Sequence, residues 1–169
     1  MMNSWHVATA AEAIAAAQFA RLGFDVSVQY GANQPEYDLI VADGSRMLKV
    51  SVKGSKDGSW GLTQSHLTKG KANYLEAADL WASKHKPNTV VCLVQFKRVA
   101  LDDLPRVYLA SPAEIVRLLK AASGARGDTI LYENHTRGPR AAGAGNVERI
   151  PDAWRLSSSR VEQLLASEA

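Results

Sequence analysis

Four residues in the first third of this 169-residue chain carry the groups needed to work on a phosphodiester: Glu12, Asp38, Ser51 and Lys53. Two carboxylates and an ammonium around one point can hold a divalent cation, position a water and offset the charge that grows on phosphoryl oxygens. Whether they meet depends on a hairpin. Asp43-Gly44 between two apolar alternating runs is a strong hairpin signal. With Asp43-Gly44 as the two-residue turn, Ala42 is expected opposite Ser45. Asp38, Ile40 and Ala42 then share a face with Lys49, Ser51 and Lys53, while Tyr37, Leu39 and Val41 share the other with Leu48, Val50 and Val52. The second face is apolar, and the first collects a carboxylate, a hydroxyl and two ammonium groups. Such groups are costly to bury unless they pair or serve a site.

The charge distribution points to the same region. The chain has 20 Lys and Arg against 17 Asp and Glu, a formal net charge of +3. Residues 1 to 45 hold one basic residue, Arg21, against five acidic ones, whereas residues 46 to 71 hold six basic residues against Asp57 alone. An acidic stretch beside a basic one suits metal ligands next to a phosphate site.

The elements that must position these residues are readable from capping and periodicity. A first helix is expected to run to Leu22 and stop at Gly23, with Glu12 on a small-residue stripe of Ala8, Ala15, Ala16 and Phe19 that suits close packing on a sheet. Strands are expected over 24–30, 37–42, 47–53, 89–96, 106–110 and 129–132, with helices over about 72–86, after the capping box Ser111-Pro-Ala-Glu114, and after a second box, Ser159-Arg-Val-Glu162. The order predicts a mixed α/β fold with a central mixed sheet flanked by helices.

Glu12 in the first helix, Asp38 in Tyr-Asp-Leu-Ile-Val, and Ser51-Val-Lys53-Gly after a hairpin resemble the PD-(D/E)xK nuclease superfamily, most closely its Holliday-junction-resolvase-like and intron-homing-endonuclease-like branch. The resemblance covers residues 5 to 97. It implies a restriction-endonuclease-like, three-layer α/β/α fold and metal-dependent hydrolysis of DNA with Mg²⁺ or Mn²⁺. It also implies a site in which Glu12, Asp38 and the Val52 carbonyl ligate the metal while Lys53 orients or deprotonates the attacking water. Many such relatives act as homodimers. The chain departs from the pattern at Tyr37, where Pro is usual, and at Ser51, where an acid or Gln is usual. A site with two acidic ligands leaves a second reading open, a weak or inactive nucleic-acid-binding domain of the same fold, and a third, a small α/β interaction protein.

Around this core, Lys49, Lys56, Lys69 and Lys71 are candidates for phosphate contact, as are Gln64 and the two arginines of a Gly-rich stretch read as a mobile basic loop over 136–146, Arg137 and Arg140. Gly54 suits close approach of a phosphate backbone. Trp60 is a candidate for stacking on an unpaired base, while Trp5, Trp81 and Trp154 are assigned to packing. One domain spanning 1–169 is expected, with 98–169 as elaboration of the core. The single Cys92 excludes a disulfide scaffold and fits a reducing cytoplasm. The Ala-rich start is read as a mature helix, since it lacks a basic leader and contains Glu12 and Gln18, and no apolar run is long enough for a membrane span. Glu133-Asn-His135 lacks the partners of an HNH site, and Pro151-Asp152 has no acid-x-Lys after it.

Overall fold

The computed structural model describes residues 1–30, 35–71 and 73–167. In chain order the elements are α1 (Ser4–Arg21), β1 (Asp25–Val28), β2 (Leu39–Asp43), β3 (Arg46–Ser55), β4 (Ser59–Gly61), α2 (Tyr74–Ser83), β5 (Thr89–Gln95), β6 (Arg106–Ala110), α3 (Pro112–Ala125), β7 (Ile130–Tyr132), β8 (Asn134–Thr136), β9 (Val147–Arg149) and α4 (Ser158–Ser167). The fold is mixed α/β, built on a five-stranded mixed sheet flanked by helices. The chain forms two compact units, interleaved in sequence: Met1–Asp57, Lys86–Ser111 and Asp152–Ala169 make the first, Gly58–His85 and Pro112–Pro151 the second.

The first unit holds the sheet, ordered β1-β2-β3-β5-β6. All neighbours are antiparallel except β3 and β5, whose parallel pairing requires the long crossover between them. On one face Leu39, Val41, Leu48, Val50, Val52, Val90, Cys92, Val94, Val107 and Leu109 form a continuous apolar layer, covered by Ala11, Ala15 and Phe19 of α1 and by Val161, Leu164 and Leu165 of α4. Each large side chain so buried stabilises the fold by roughly 1.5–3 kcal/mol.

Helix α1 is stopped as its sequence says. Gly23 takes φ +92°, and the bonds from Gly23 N to Ala20 O and from Phe24 N to Phe19 O close a Schellman motif. Its start is set by Asn3, whose side chain accepts from His6 N while the His6 ring accepts from Asn3 N. The buried stripe is Val7, Ala11, Ala15 and Phe19, at steps of four, rather than the expected stripe through Ala8, which is exposed. Glu12 sits on the edge of that stripe, half-buried.

The β2–β3 hairpin turns one residue later than expected. Gly44 and Ser45 form the turn, with Gly44 at φ +60°, the glycine-first pattern of a type II′ turn, and Asp43 pairs with Arg46 instead of leading the turn. The register therefore shifts by two: Leu39 faces Val50 and Ile40 faces Lys49. A shift of two preserves every face, so the apolar layer stands, but it moves Asp38 from beside Lys49 to the level of Ser51. Helix α4 also starts early, with the Ser157 hydroxyl accepting from Arg160 N, so Ser157 is the cap and Ser159 lies inside the first turn.

The second unit contains two small sheets, β4 with β7 and β8 with β9, and the helices α2 and α3. Asn73 caps α2 by accepting from Glu76 N; position 72, where the sequence places the start of this helix, lies outside the described residues. Helix α3 breaks at Ala122, after which Ser123, Gly124 and Ala125 all take positive φ. The stretch expected to be a mobile loop is the ordered connection of the β8–β9 hairpin, closed by bonds from Arg137 N to Asn146 O and from Gly145 N to Arg137 O.

Candidate active site

Asp38 precedes β2 and is held by three backbone contacts. Its N–H donates to Val50 O at 2.9 Å, its carbonyl accepts from Gln29 N at 2.9 Å, and its Oδ2 accepts from Val52 N at 2.6 Å. The last is a charge-assisted bond that clamps the carboxylate against the residue before Lys53. The shifted hairpin register makes this contact, since it sets Asp38 across from Ser51 and Val52.

Glu12 reaches the same neighbourhood from α1. The helix lies directly on β3 at Gly54: a Cβ there would stand 2.8 Å from Val7 O and 2.9 Å from the Ala11 Cβ. Gly54 thus admits α1, not the phosphate backbone expected from the sequence. Burial, and then the negative charge of Asp38, push the Glu12 carboxyl above its ordinary value, while Lys53 pulls it the other way. Asp38 and Lys53, both far from Glu12 in the chain, thus lie close enough in space to act on its carboxyl. Asp38 is felt on the apolar face too, where burial and then its charge raise the Cys92 thiol, which removes that sulfur as a nucleophile.

Lys53 is exposed, whereas Ser51 is 1% exposed and Val52 is buried. Among the described residues no cluster of three or more His, Cys, Asp or Glu is placed to hold a metal. The acidic set at this point is the pair Glu12 and Asp38.

The fold is that of a bacterial homing endonuclease. The two structures superpose with a TM-score of 0.51 over 98% of this chain and 95% of the other, at 13% sequence identity. No protein-family profile matches the sequence, and no curated protein matches it. At that identity the likeness is one of fold.

The other candidates divide. In the first unit, Lys49 is half-buried, with its Nζ 3.4 Å from Pro87 O and 5.9 Å from the centre of the Tyr37 ring, so its charge is engaged internally. Lys56 is exposed and its Nζ donates to Met2 O. In the second unit, Gln64, Lys69, Lys71 and Arg140 are exposed. Two expectations there are overturned. Trp60 is 3% exposed within β4, opposite Leu131, so its ring packs inside its unit and offers no stacking surface. Arg137 is not a loop cation facing phosphate: its guanidinium bonds Asp128 and both oxygens of Glu148, with a side chain only 11% exposed. Its sequence signal, a basic residue among glycines, was the same as that of Arg140; only its partners distinguish them. Conversely Trp5, assigned to packing, is 71% exposed, while Trp81 and Trp154 are buried as expected.

Proposed function

We propose that this protein is a metal-dependent nuclease that hydrolyses phosphodiester bonds in DNA, of the PD-(D/E)xK type, with Glu12, Asp38, Val52 and Lys53 as its site. The observation that carries this reading is the Asp38 carboxylate bonded to Val52 N, next to Lys53, with the charges of both Asp38 and Lys53 bearing on the Glu12 carboxyl, on a fold similar to that of a homing endonuclease. A raised glutamate beside a second carboxylate is the electrostatic condition that a divalent cation relieves. The donor set is all oxygen, which suits Mg²⁺ or Mn²⁺ and not zinc. The carboxylates of Glu12 and Asp38 and the Val52 carbonyl would hold the cation, with Asp38 oriented by its bond from Val52 N. Bound there, the cation would supply Lewis acidity and a water of lowered pKa.

The chain's own contributions are distinct. The Val52 amide fixes the Asp38 carboxylate, so the ligand is oriented before any substrate arrives. Lys53, exposed and acting on the Glu12 carboxyl, would orient the attacking water and offset charge on the phosphoryl oxygens. Ser51, buried at the level where relatives carry a third acid, supplies no charge. This favours a second reading, a DNA-binding domain of the same fold with little hydrolysis.

A cleavage assay on plasmid and oligonucleotide DNA with Mg²⁺ or Mn²⁺ decides between the two. Wild type should cleave, and Asp38→Ala and Lys53→Ala should each lower the rate by about 10²–10⁴-fold without loss of fold. Binding without cleavage by wild type would select the second reading. Cleavage that survives both substitutions would place the chemistry elsewhere.

A further inference from the structure

Two large aromatic side chains in the first unit stand in solvent: Trp5 shares α1 with Glu12, and Tyr30 is next in the chain to Gln29, which is bonded to Asp38. Trp5 is 71% exposed and Tyr30 is 88% exposed. Trp5 and Glu12 are seven residues apart on α1, so they lie within about 20° of the same helix edge and about 10 Å apart along the axis. Between them on that edge are Ala8 and Thr9, both small and exposed, which leave the edge open from the indole to the carboxylate. Tyr30 follows Gln29, whose N–H donates to the carbonyl of Asp38. The exposed ammonium of Lys56 lies by the same end of α1, bonded to Met2 O.

Exposed Trp and Tyr are expensive to leave in water, and a lone instance needs no explanation. Here two of them accompany a pair of carboxylates and two exposed lysines, Lys53 and Lys56. Aromatic rings interleaved with cations are how proteins hold unstacked nucleobases: the rings stack on base faces while the ammonium groups follow the phosphates. A continuous B-form duplex offers no base faces to such rings. We infer that Trp5 and Tyr30 are substrate-positioning residues that stack on bases beside the scissile phosphate, and that the substrate is DNA whose bases are unpaired at the cleavage position. This rests on the nuclease reading and names the substrate form for that site.

The test measures binding in EDTA, so that no cleavage intervenes, using a labelled duplex that is fully paired and the same duplex with a central bubble of about four unpaired positions. Wild type should bind the bubble about tenfold more tightly than the paired form. Trp5→Ala and Tyr30→Ala should each remove most of that preference, with little effect on the paired duplex and an unchanged melting temperature, and Trp5→Phe and Tyr30→Phe should retain it. Tryptophan emission should be quenched by the bubble in wild type and not in Trp5→Phe, because the other three tryptophans are buried. Equal affinity for the two duplexes, or alanine variants that bind the bubble like wild type, would overturn the stacking assignment and leave the nuclease reading standing. Failure of wild type to bind either DNA would overturn the stacking assignment, and the Mg²⁺ cleavage assay then decides the nuclease reading by itself.

Discussion

Asp128 and Glu148 in one unit, and Glu12 and Asp38 in the other, are pairs of acids with opposite surroundings. Arg137 closes on the first pair, and Ser123 N adds a bond of 2.7 Å to Glu148. Burial alone would raise Glu148, but the Arg137 and Ser123 bonds outweigh it and hold the carboxyl below its ordinary value. Asp38 has one backbone amide on its carboxylate, Glu12 has burial and a like charge, and the nearby cation, Lys53, only partly offsets them. The first pair is satisfied by the chain itself and serves the structure. The second leaves Glu12 raised despite the nearby lysine, and it is the pair to which the proposed function assigns the cation.

Beyond the cleavage assay, this contrast can be broken in four ways. The largest effect on stability is expected from Arg137→Ala, which leaves two part-buried carboxylates without their partner: a loss of about 3 kcal/mol, read as a melting temperature lower by roughly 6–12 °C. A drop of a degree or less would show that the clamp is ornamental. Gly54→Ala comes next. Its new Cβ meets the α1 backbone, so a loss of about 1–3 kcal/mol is expected, accompanied by weaker Mg²⁺ binding as Glu12 is displaced; unchanged Mg²⁺ affinity would separate Glu12 from the site.

Mg²⁺ itself should stabilise wild type by about 1.4 kcal/mol at ten times its dissociation constant, and should do nothing for Asp38→Ala or Glu12→Gln; calorimetric scans with and without the ion measure this. The smallest and most diagnostic effect is in pH. Because the Glu12 carboxyl is raised in the fold, its contribution to stability is full below the ordinary carboxylate range and is lost as pH rises through its folded value. Metal-free Glu12→Gln should therefore melt slightly above wild type at pH 7, with the gap closing on acidification. Glu148, held low, behaves inversely: its stabilisation is present above the ordinary carboxylate range and fades as pH falls through its folded value, so Glu148→Gln should melt below wild type at pH 7 and converge with it in acid. Parallel pH profiles for the two variants would erase the distinction between clamp and site.

Much of the fold was legible because local physics marked it. Gly23 ends α1, Pro112 opens α3, and the β-branched run of β5 reads as a central strand because both of its faces are buried. The hairpin was legible in kind but not in register: Asp43-Gly44 and Gly44-Ser45 are both competent turns, and the ion pair of Asp43 with Arg46 lies with the second. Glu12 was legible in its helix, and Asp38 in the run that became β2, although the strand starts at Leu39, one residue after it. Trp60, Trp5 and Arg137 were not, because a tryptophan or arginine carries no local signal that says which way it faces.

The sequence by itself determined the order and kind of the main helices and of the five strands of the large sheet, the apolar layer under it, and the set of groups able to do phosphoryl chemistry, since these follow from periodicity, capping and side-chain type; the short strands β4, β8 and β9 carry no such signal. Tertiary structure alone decided which charges meet a partner. Compensation depends on groups distant in the chain meeting within a few ångströms, as Val52 meets Asp38 and Glu148 meets Arg137, and a one-residue change in a turn is enough to redirect such a meeting.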